Sequence, residues 1–152
     1  ICPRWARLDG PAGAGSGVVA GLSLATTPVE ILAATLEAVC YRLAAGYEAL
    51  AGTLPAEPEV IASGGAVVAS PWWQQTRADV LGRPVRVVDE PEASARGAAL
   101  LALDLAPDPA TLRVVEPRPD AVEAQRAARA AHERLAGRLG YTRQLTDEGG
   151  SP

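Results

Sequence analysis

The sequence predicts an α/β layer architecture, because strand-like and helix-like segments alternate along its 152 residues. Two helix starts support this fold class, since Thr27-Pro28 and Ser70-Pro71 each place a capping hydroxyl before a proline at the first helical position. The length is also sufficient for one domain to bury about two-thirds of its unfolded surface.

The expected elements follow from caps, glycines and apolar spacing. Glu30 completes a capping box with Thr27, and apolar residues then recur at spacings of three and four in two stripes, which predicts a helix covered on more than one side. In chain order we expect irregular structure over residues 1–16, a strand over 17–24, a helix over 27–52, a strand over 59–63, a helix over 70–81, a strand over 84–88, a helix over 93–103, a proline-rich link over 104–119, a final helix from Asp120 to Leu139 and a disordered tail over 144–152.

Composition excludes several function classes. All 14 basic residues are Arg, so Schiff-base chemistry and a phosphate loop with lysine are excluded. The net charge of -4 argues against nucleic acid or an anionic membrane as the main partner. Without a long apolar run or a signal peptide, the chain is expected to be cytoplasmic. Because it begins with Ile1 and contains no Met, we expect a fragment or a processed piece.

Isolated Cys and His residues predict no metal site. Cys40 lies in a helical pattern and is expected in the core, whereas His132 is expected on the surface of the last helix. The acids Asp79, Asp89, Glu90 and Glu92 show no paired-carboxylate spacing and are expected to be solvated.

The first glycine-rich stretch, Gly13–Gly21, fits a relaxed dinucleotide fingerprint at Gly15, Gly17 and Gly21. That fingerprint needs a strand before the glycines and a helix directly after them. Here no strand is expected before Gly13 and a strand is expected after it, which favours a flexible loop over a nicotinamide-dependent enzyme.

The second glycine-rich stretch, Ser63-Gly64-Gly65-Ala66, lies between a predicted strand and the helix capped by Ser70. Glycines there allow positive φ and close approach of a flat ligand, and the helix N-terminus suits a polar or anionic group. A plain Gly-Gly turn is the alternative. Trp72 and Trp73 follow the Ser70 cap. Because consecutive residues on a helix point about 100° apart, one tryptophan is expected to be packed and the other partly exposed.

Several segments together resemble the FGGY family of carbohydrate kinases, over about residues 17–140. The family's second signature resembles Gly17-x-Val19-x-Gly21-Leu22 followed by Glu30-Ile31-x-x-Ala34-Thr35-Leu36-Glu37. Its adenosine-binding segment resembles Ala62–Ala66 through Ser70-Pro71-Trp72, together with Ala78–Val85. The family's next helix motif resembles Glu92–Ala99, and its C-terminal end resembles Val115-Glu116-Pro117.

The resemblance implies the ribonuclease H-like fold of actin-like ATPases, a mixed sheet flanked by helices, in which two lobes close over ATP with Mg²⁺ and a sugar. This chain would be the second lobe, over residues 17–140, between an irregular remnant (1–16) and a flexible tail (141–152). Gly64, Gly65 and Ala66 would lie against adenine and ribose, and Ser70 would offer polar contacts. Gly21 and Glu37 are interpreted as structural.

The resemblance assigns no catalytic or metal-ligating residue to this chain, because the family's catalytic Asp, phosphate loops and most of its sugar site lie upstream. The isolated chain is therefore expected to be inactive, with ATP or ADP as partner and a sugar or sugar acid bound through the missing lobe. Residues 90–97 resemble the gluconokinase-like branch of the family, which implies a gluconate-like substrate, with pentulose as the rival. A homodimer is left open, and a non-catalytic remnant or interaction module is the alternative function.

Overall fold

The computed structural model describes residues 4–8, 16–90, 92–106 and 112–139. In chain order its elements are β1 (Arg4–Leu8), β2 (Ser16–Ala20), α1 (Pro28–Ala51), β3 (Val60–Ala62), α2 (Gly65–Val68), α3 (Pro71–Leu81), β4 (Val85–Val88), α4 (Ala93–Ala102), β5 (Leu112–Val115) and α5 (Pro119–Arg138). The α/β class predicted from the alternation is confirmed. The expected tail over 144–152 lies outside the described residues.

The chain divides into two compact units, Ile1–Leu43 with Ala124–Pro152, and Ala44–Glu123. The first unit contains an antiparallel pair of strands, in which β1 and β2 run from the Arg4–Ala20 pair to the Leu8–Ser16 pair. The expectation of irregular structure before Gly17 is therefore wrong at Arg4–Leu8 and Ser16. The β1 sequence has no strong strand pattern of its own, so its conformation depends on ladder hydrogen bonds to the Val-containing β2.

Helix α1 begins as its caps predict. The Thr27 N–H donates to Glu30 Oε2 at 2.7 Å, and the Glu30 N–H donates back to Thr27 Oγ1 at 3.3 Å. The backbone hydrogen bond from Thr27 lowers the pKa of Glu30. Strand β2 ends earlier than expected, at Ala20, because Gly21 turns the chain with φ 80°.

The two apolar stripes of α1 have different surroundings. The alanine-rich stripe is buried at Ala34 and Ala38, as is the neighbouring Cys40, which confirms the core position expected for that thiol. Most of the leucine-rich stripe is exposed, with Leu32 at 59% and Leu43 at 49%, although Leu36 is half-buried. Among the described residues the helix is thus covered on its alanine face, and the expected cover on the second face is not observed.

His132 packs inside the first unit, so its expected surface position is wrong. It is only 7% exposed, and its ring lies 5.3 Å from that of Tyr41, which in turn donates from its hydroxyl to Gln125 Oε1 at 2.8 Å. Burial here comes from an aromatic side chain on a different helix, whereas the Arg- and Ala-rich neighbours of His132 in sequence resemble a solvated face.

The second unit contains a mixed three-stranded sheet of order β3-β4-β5. Strands β3 and β4 are parallel, with Ala62 opposite Val87, and β4 and β5 are antiparallel, with Val85 opposite Val115. One face of this sheet forms the core with α2 and α3. Its buried members are Ala62, Val67, Ala78, Val85, Val87 and Val115.

Two elements of this unit were not expected. Strand β5 lies within the segment predicted to be a proline-rich link, because the prolines at 117 and 119 follow its four residues without interrupting them. Helix α2 is a single turn of four residues, shorter than a periodic pattern can reveal. The remaining boundaries agree with the prediction within a few residues, and α3 ends at Gly82, whose φ of 63° is left-handed.

No helix within the described ranges is long and apolar enough to cross a membrane.

Candidate functional site

The Ser63–Ser70 segment joins the carboxyl end of β3 to α3 through α2. Gly64 has φ 101° and ψ 152°, a region of backbone space open essentially to glycine alone. A Cβ built on Gly64 would meet no atom within 4 Å, so the space above it is open. The positive φ expected of this glycine pair is therefore found at Gly64, whereas Gly65 begins α2 with an ordinary conformation.

The carbonyl oxygen of Gly64 fixes the turn that follows. It accepts from the N–H groups of Val67 at 3.0 Å and Val68 at 3.1 Å, and the Ala69 N–H donates to Gly65 O at 2.9 Å. Gly65 and Ala66 remain exposed at the start of this turn. The loop thus presents backbone and small side chains, which allows a flat ligand to approach closely.

Ser70 caps α3, as predicted. Its Oγ accepts from the Trp73 N–H at 3.3 Å, and Pro71 occupies the first turn. Because a hydroxyl that accepts one bond still carries its own hydrogen, Ser70 can also donate to a ligand at this end of the helix. The expected contrast between the tryptophans is confirmed, since Trp72 is 47% exposed and Trp73 is half-buried with the Arg77 guanidinium 3.9 Å from its ring centroid.

The parallel pairing of β3 and β4 brings a second segment to this edge of the sheet. Ala62 lies opposite Val87, so the residues that follow each strand emerge side by side. Carboxyl ends of parallel strands are the usual position of ligand crevices in α/β sheets. Asp89 and Glu92 are exposed, as expected, and Glu90 is half-buried and accepts from the Glu92 N–H at 3.1 Å.

Asp79 is not solvated, which corrects the expectation for this acid. Its side chain is 1% exposed and accepts from Arg118 Nη2 at 2.6 Å, from the Arg118 N–H at 2.8 Å and from Gln75 Nε2 at 3.0 Å. Burial raises the pKa of Asp79, but the hydrogen bonds from Arg118 and Gln75 outweigh it and leave the pKa below its ordinary value of 3.8. A carboxylate so fully engaged joins α3 to the start of α5 and is unsuited to proton transfer.

Gln74 is a residue of this region that sequence reasoning missed. It is 1% exposed, and its side-chain amide contacts the last turn of α2 at Val67 O, 2.6 Å from Nε2. A glutamine in a helix is ordinarily solvated, and the sequence gives no signal that distinguishes Gln74 from its neighbour Gln75.

The first glycine-rich stretch does not meet the requirements of a dinucleotide site. A strand, β1, does precede Gly13, which the flexible-loop interpretation did not expect. However, Gly17 lies within β2, an antiparallel partner of β1, and the next helix begins only at Pro28. The fingerprint needs its glycines in a turn that enters a helix directly. Gly13 and Gly15 lie outside the described residues.

Among the described side chains, no three His, Cys, Asp or Glu residues come together as a metal site.

Comparisons with known proteins agree with the resemblance in sequence. Residues 11–104 match the family model described as the FGGY family of carbohydrate kinases, C-terminal domain. Glycerol kinase of Methylobacterium nodulans is 38% identical over 89 residues, which are 57% of this chain and 18% of that protein. The crystal structure of xylulose kinase from Rhodospirillum rubrum matches with a TM-score of 0.65 and 31% identity, over 82% of this chain and 27% of that one.

Gluconate kinase from Lactobacillus acidophilus matches with a TM-score of 0.62 and 20% identity, over 83% of this chain and 27% of that one. The actin-like ATPase fold that the resemblance implied is confirmed by these structures. The chain spans less than a fifth of the curated glycerol kinase, at 18% of its length.

Proposed function

The chain belongs to the FGGY family of carbohydrate kinases, and we propose that it forms the adenosine-binding part of an ATP-dependent carbohydrate kinase. The observation that carries this proposal is the geometry of Gly64, a glycine-only conformation with open space above it, between the end of β3 and the capped start of α3. A flat, uncharged adenosine suits the bare backbone, and the adjoining helix N-terminus suits the polar groups of a nucleotide.

Each residue of the site then has a role. Gly64, Gly65 and Ala66 pack against adenine and ribose, and Ser70 donates a hydrogen bond while its oxygen continues to cap α3. The bound ATP supplies the γ-phosphoryl group. Phosphoryl transfer depends mainly on positioning and on stabilising charge, so the absence of lysine from this chain is no obstacle.

The described residues offer no cluster of three His, Cys, Asp or Glu side chains that would hold Mg²⁺ by themselves. Asp79 is unsuited to act as a base, because it is fully engaged with Arg118 and Gln75. We propose that the base, the phosphate loops and most of the sugar site belong to parts of the enzyme outside these 152 residues.

The substrate class is a polyol, sugar or sugar acid whose hydroxyl receives the phosphoryl group. The relatives that are at least 30% identical to this chain include glycerol and xylulose kinases. The gluconate-like preference rests on residues 90–97 alone, and direct phosphorylation assays of the complete enzyme with gluconate, xylulose and glycerol would decide among the three.

A titration of the 152-residue chain with ADP, followed by amide NMR, tests the proposed site. We expect shifts confined to Ser63–Ser70 and its immediate neighbours, and a parallel titration with inorganic phosphate should not reproduce them. No shifts at about millimolar ADP would favour the alternative, a non-catalytic remnant or interaction module that keeps the fold.

A coupled assay tests the second part of the proposal. We expect no detectable phosphorylation of gluconate, xylulose or glycerol by the purified chain alone. Measurable phosphorylation would show that a base is present among these residues, and the assignment of the base to another part of the enzyme would be wrong.

A further inference from the structure

Gln74 connects the candidate nucleotide loop to the body of the second unit. Its side chain lies on α3 and is 1% exposed. Nε2 donates to Val67 O at 2.6 Å and to Val68 O at 3.3 Å, the carbonyls of the last two residues of α2. The amide nitrogen therefore donates to the segment that begins at Gly64.

The other end of the same amide is held by Arg113. Its Nη2 donates to Gln74 Oε1, so a side chain from β5 orients the amide toward α2. A side-chain amide accepts from a guanidinium through its oxygen and donates to a carbonyl through its nitrogen at once, whereas an ionised carboxylate or a thioether has no hydrogen to donate. The amide of Gln74 therefore satisfies both neighbours, which an ionised Glu or a Met at this position would not.

The anchored turn leads back to the ligand-facing backbone. Val67 and Val68, whose carbonyls accept from Gln74, donate their own N–H groups to Gly64 O. Displacing α2 would consequently displace the carbonyl of Gly64 and the backbone of Gly65 and Ala66. Gly64 itself has no side chain with which to hold its conformation.

We propose that Gln74, oriented by Arg113, is a positioning residue for nucleotide binding, which holds the Gly64–Val68 loop in its binding-competent conformation. This inference rests on the proposed function, since it assigns the loop to the nucleotide. The apparent dissociation constant for ADP then rises in inverse proportion to the fraction of chains with the loop in place.

The test uses the 152-residue chain with Gln74→Met, which keeps the length of the side chain and removes its three hydrogen bonds, to Val67 O, to Val68 O and from Arg113. Gln75→Met is the matched control, because Gln75 is adjacent on α3 and donates to Asp79 and to Glu116 O instead of to the loop. We expect Gln74→Met to raise the ADP dissociation constant at least about tenfold, because the loss of even one buried hydrogen bond has an effect of this order. Gln75→Met should change the ADP dissociation constant less than about twofold, because neither hydrogen bond of Gln75 involves the loop.

Hydrogen exchange without nucleotide separates loop positioning from ligand contact. In Gln74→Met the amides of Val67, Val68 and Ala69 should exchange faster, whereas those of α3 should keep their protection. Gln74→Glu adds a pH profile, since a buried Glu can donate to Val67 O only when protonated. Its ADP affinity relative to that of the wild type should therefore increase as the pH is lowered.

The outcomes are distinguishable. Absence of ADP shifts in the wild type overturns the proposed function, and this inference falls with it. Wild-type binding together with unchanged ADP affinity and unchanged loop exchange in Gln74→Met overturns this inference alone. If Gln74→Met does not fold, Arg113→Met tests the same inference, because Arg113 is exposed. A weaker ADP affinity of this variant supports the orienting role of Arg113, and an unchanged affinity refutes it.

Discussion

Replacing Gly64 by Ala should destabilise the protein through backbone strain alone. Gly64 has φ 101° and ψ 152°, and a Cβ there would meet no atom within 4 Å, so no side-chain clash contributes. Holding a non-glycine residue in this region costs about 1–3 kcal/mol. For a chain of this size, each kcal/mol lowers the melting temperature by about 2–4 °C, which gives a decrease of about 2–12 °C.

Gly97→Ala is the matched control for this strain argument. Gly97 lies in α4 with an ordinary helical conformation, and a Cβ there also meets no atom within 4 Å. Because Ala favours helix over Gly by up to about 1 kcal/mol, this substitution should raise the melting temperature. Thermal unfolding followed by circular dichroism measures both variants. Equal or higher stability of Gly64→Ala, or a shift of the same sign in both, would refute the reasoning.

Two further substitutions test the core and the buried acid. Val87→Ala should lower the free energy of unfolding in urea by about 2 kcal/mol, because Val87 is 1% exposed. Val114→Ala, at a position 49% exposed in the same sheet, should change it by no more than about 0.5 kcal/mol. Equal losses in the two variants would contradict the assignment of the two sheet faces. Asp79→Asn should lower the free energy of unfolding by about 1.5 kcal/mol at neutral pH. This value is at the low end for a hydrogen bond between charged groups, because Arg118 is exposed. Since the folded pKa of Asp79 lies below 3.8, the wild-type advantage is fully present above pH 3.8 and is lost as the pH falls through the folded pKa; a difference independent of pH would contradict this linkage.

Local chemistry in the sequence was sufficient to predict the helix starts and ends. The capping box of Thr27 and Glu30, the Ser70 cap and the left-handed Gly82 each depend on contacts within a few residues. Gly64 belongs with them, because a glycine between a strand and a helix is a local signal of positive φ. The position of the candidate loop followed from these signals together with the resemblance in sequence.

Contacts between distant residues account for most of what the sequence did not reveal. Asp79 accepts hydrogen bonds from Arg118, 39 residues away, and Gln74 accepts one from Arg113 over the same separation. His132 is covered by Tyr41 on another helix. A single sequence shows which residues can pair, but only the folded chain shows which of them meet.

Periodicity has a similar limit in α1. It identified two apolar stripes, and the structure buries the one that contains Ala34 and Ala38 while Leu32 and Leu43 are exposed. Apolar spacing predicts that a face exists, whereas the elements packed against the helix determine which face belongs to the core.

Photolabelling with 8-azido-ADP tests the location of the nucleotide most directly. Because the chain has no Lys, trypsin cleaves at Arg7, Arg42 and Arg77, and the two glycine-rich stretches fall in separate peptides, 8–42 and 43–77. We predict that the label is found in peptide 43–77, which contains Gly64–Ser70, and that excess ADP prevents its incorporation. Labelling of peptide 8–42 that ADP suppresses, with peptide 43–77 unlabelled, would contradict the assignment of the adenosine site to the Gly64 loop.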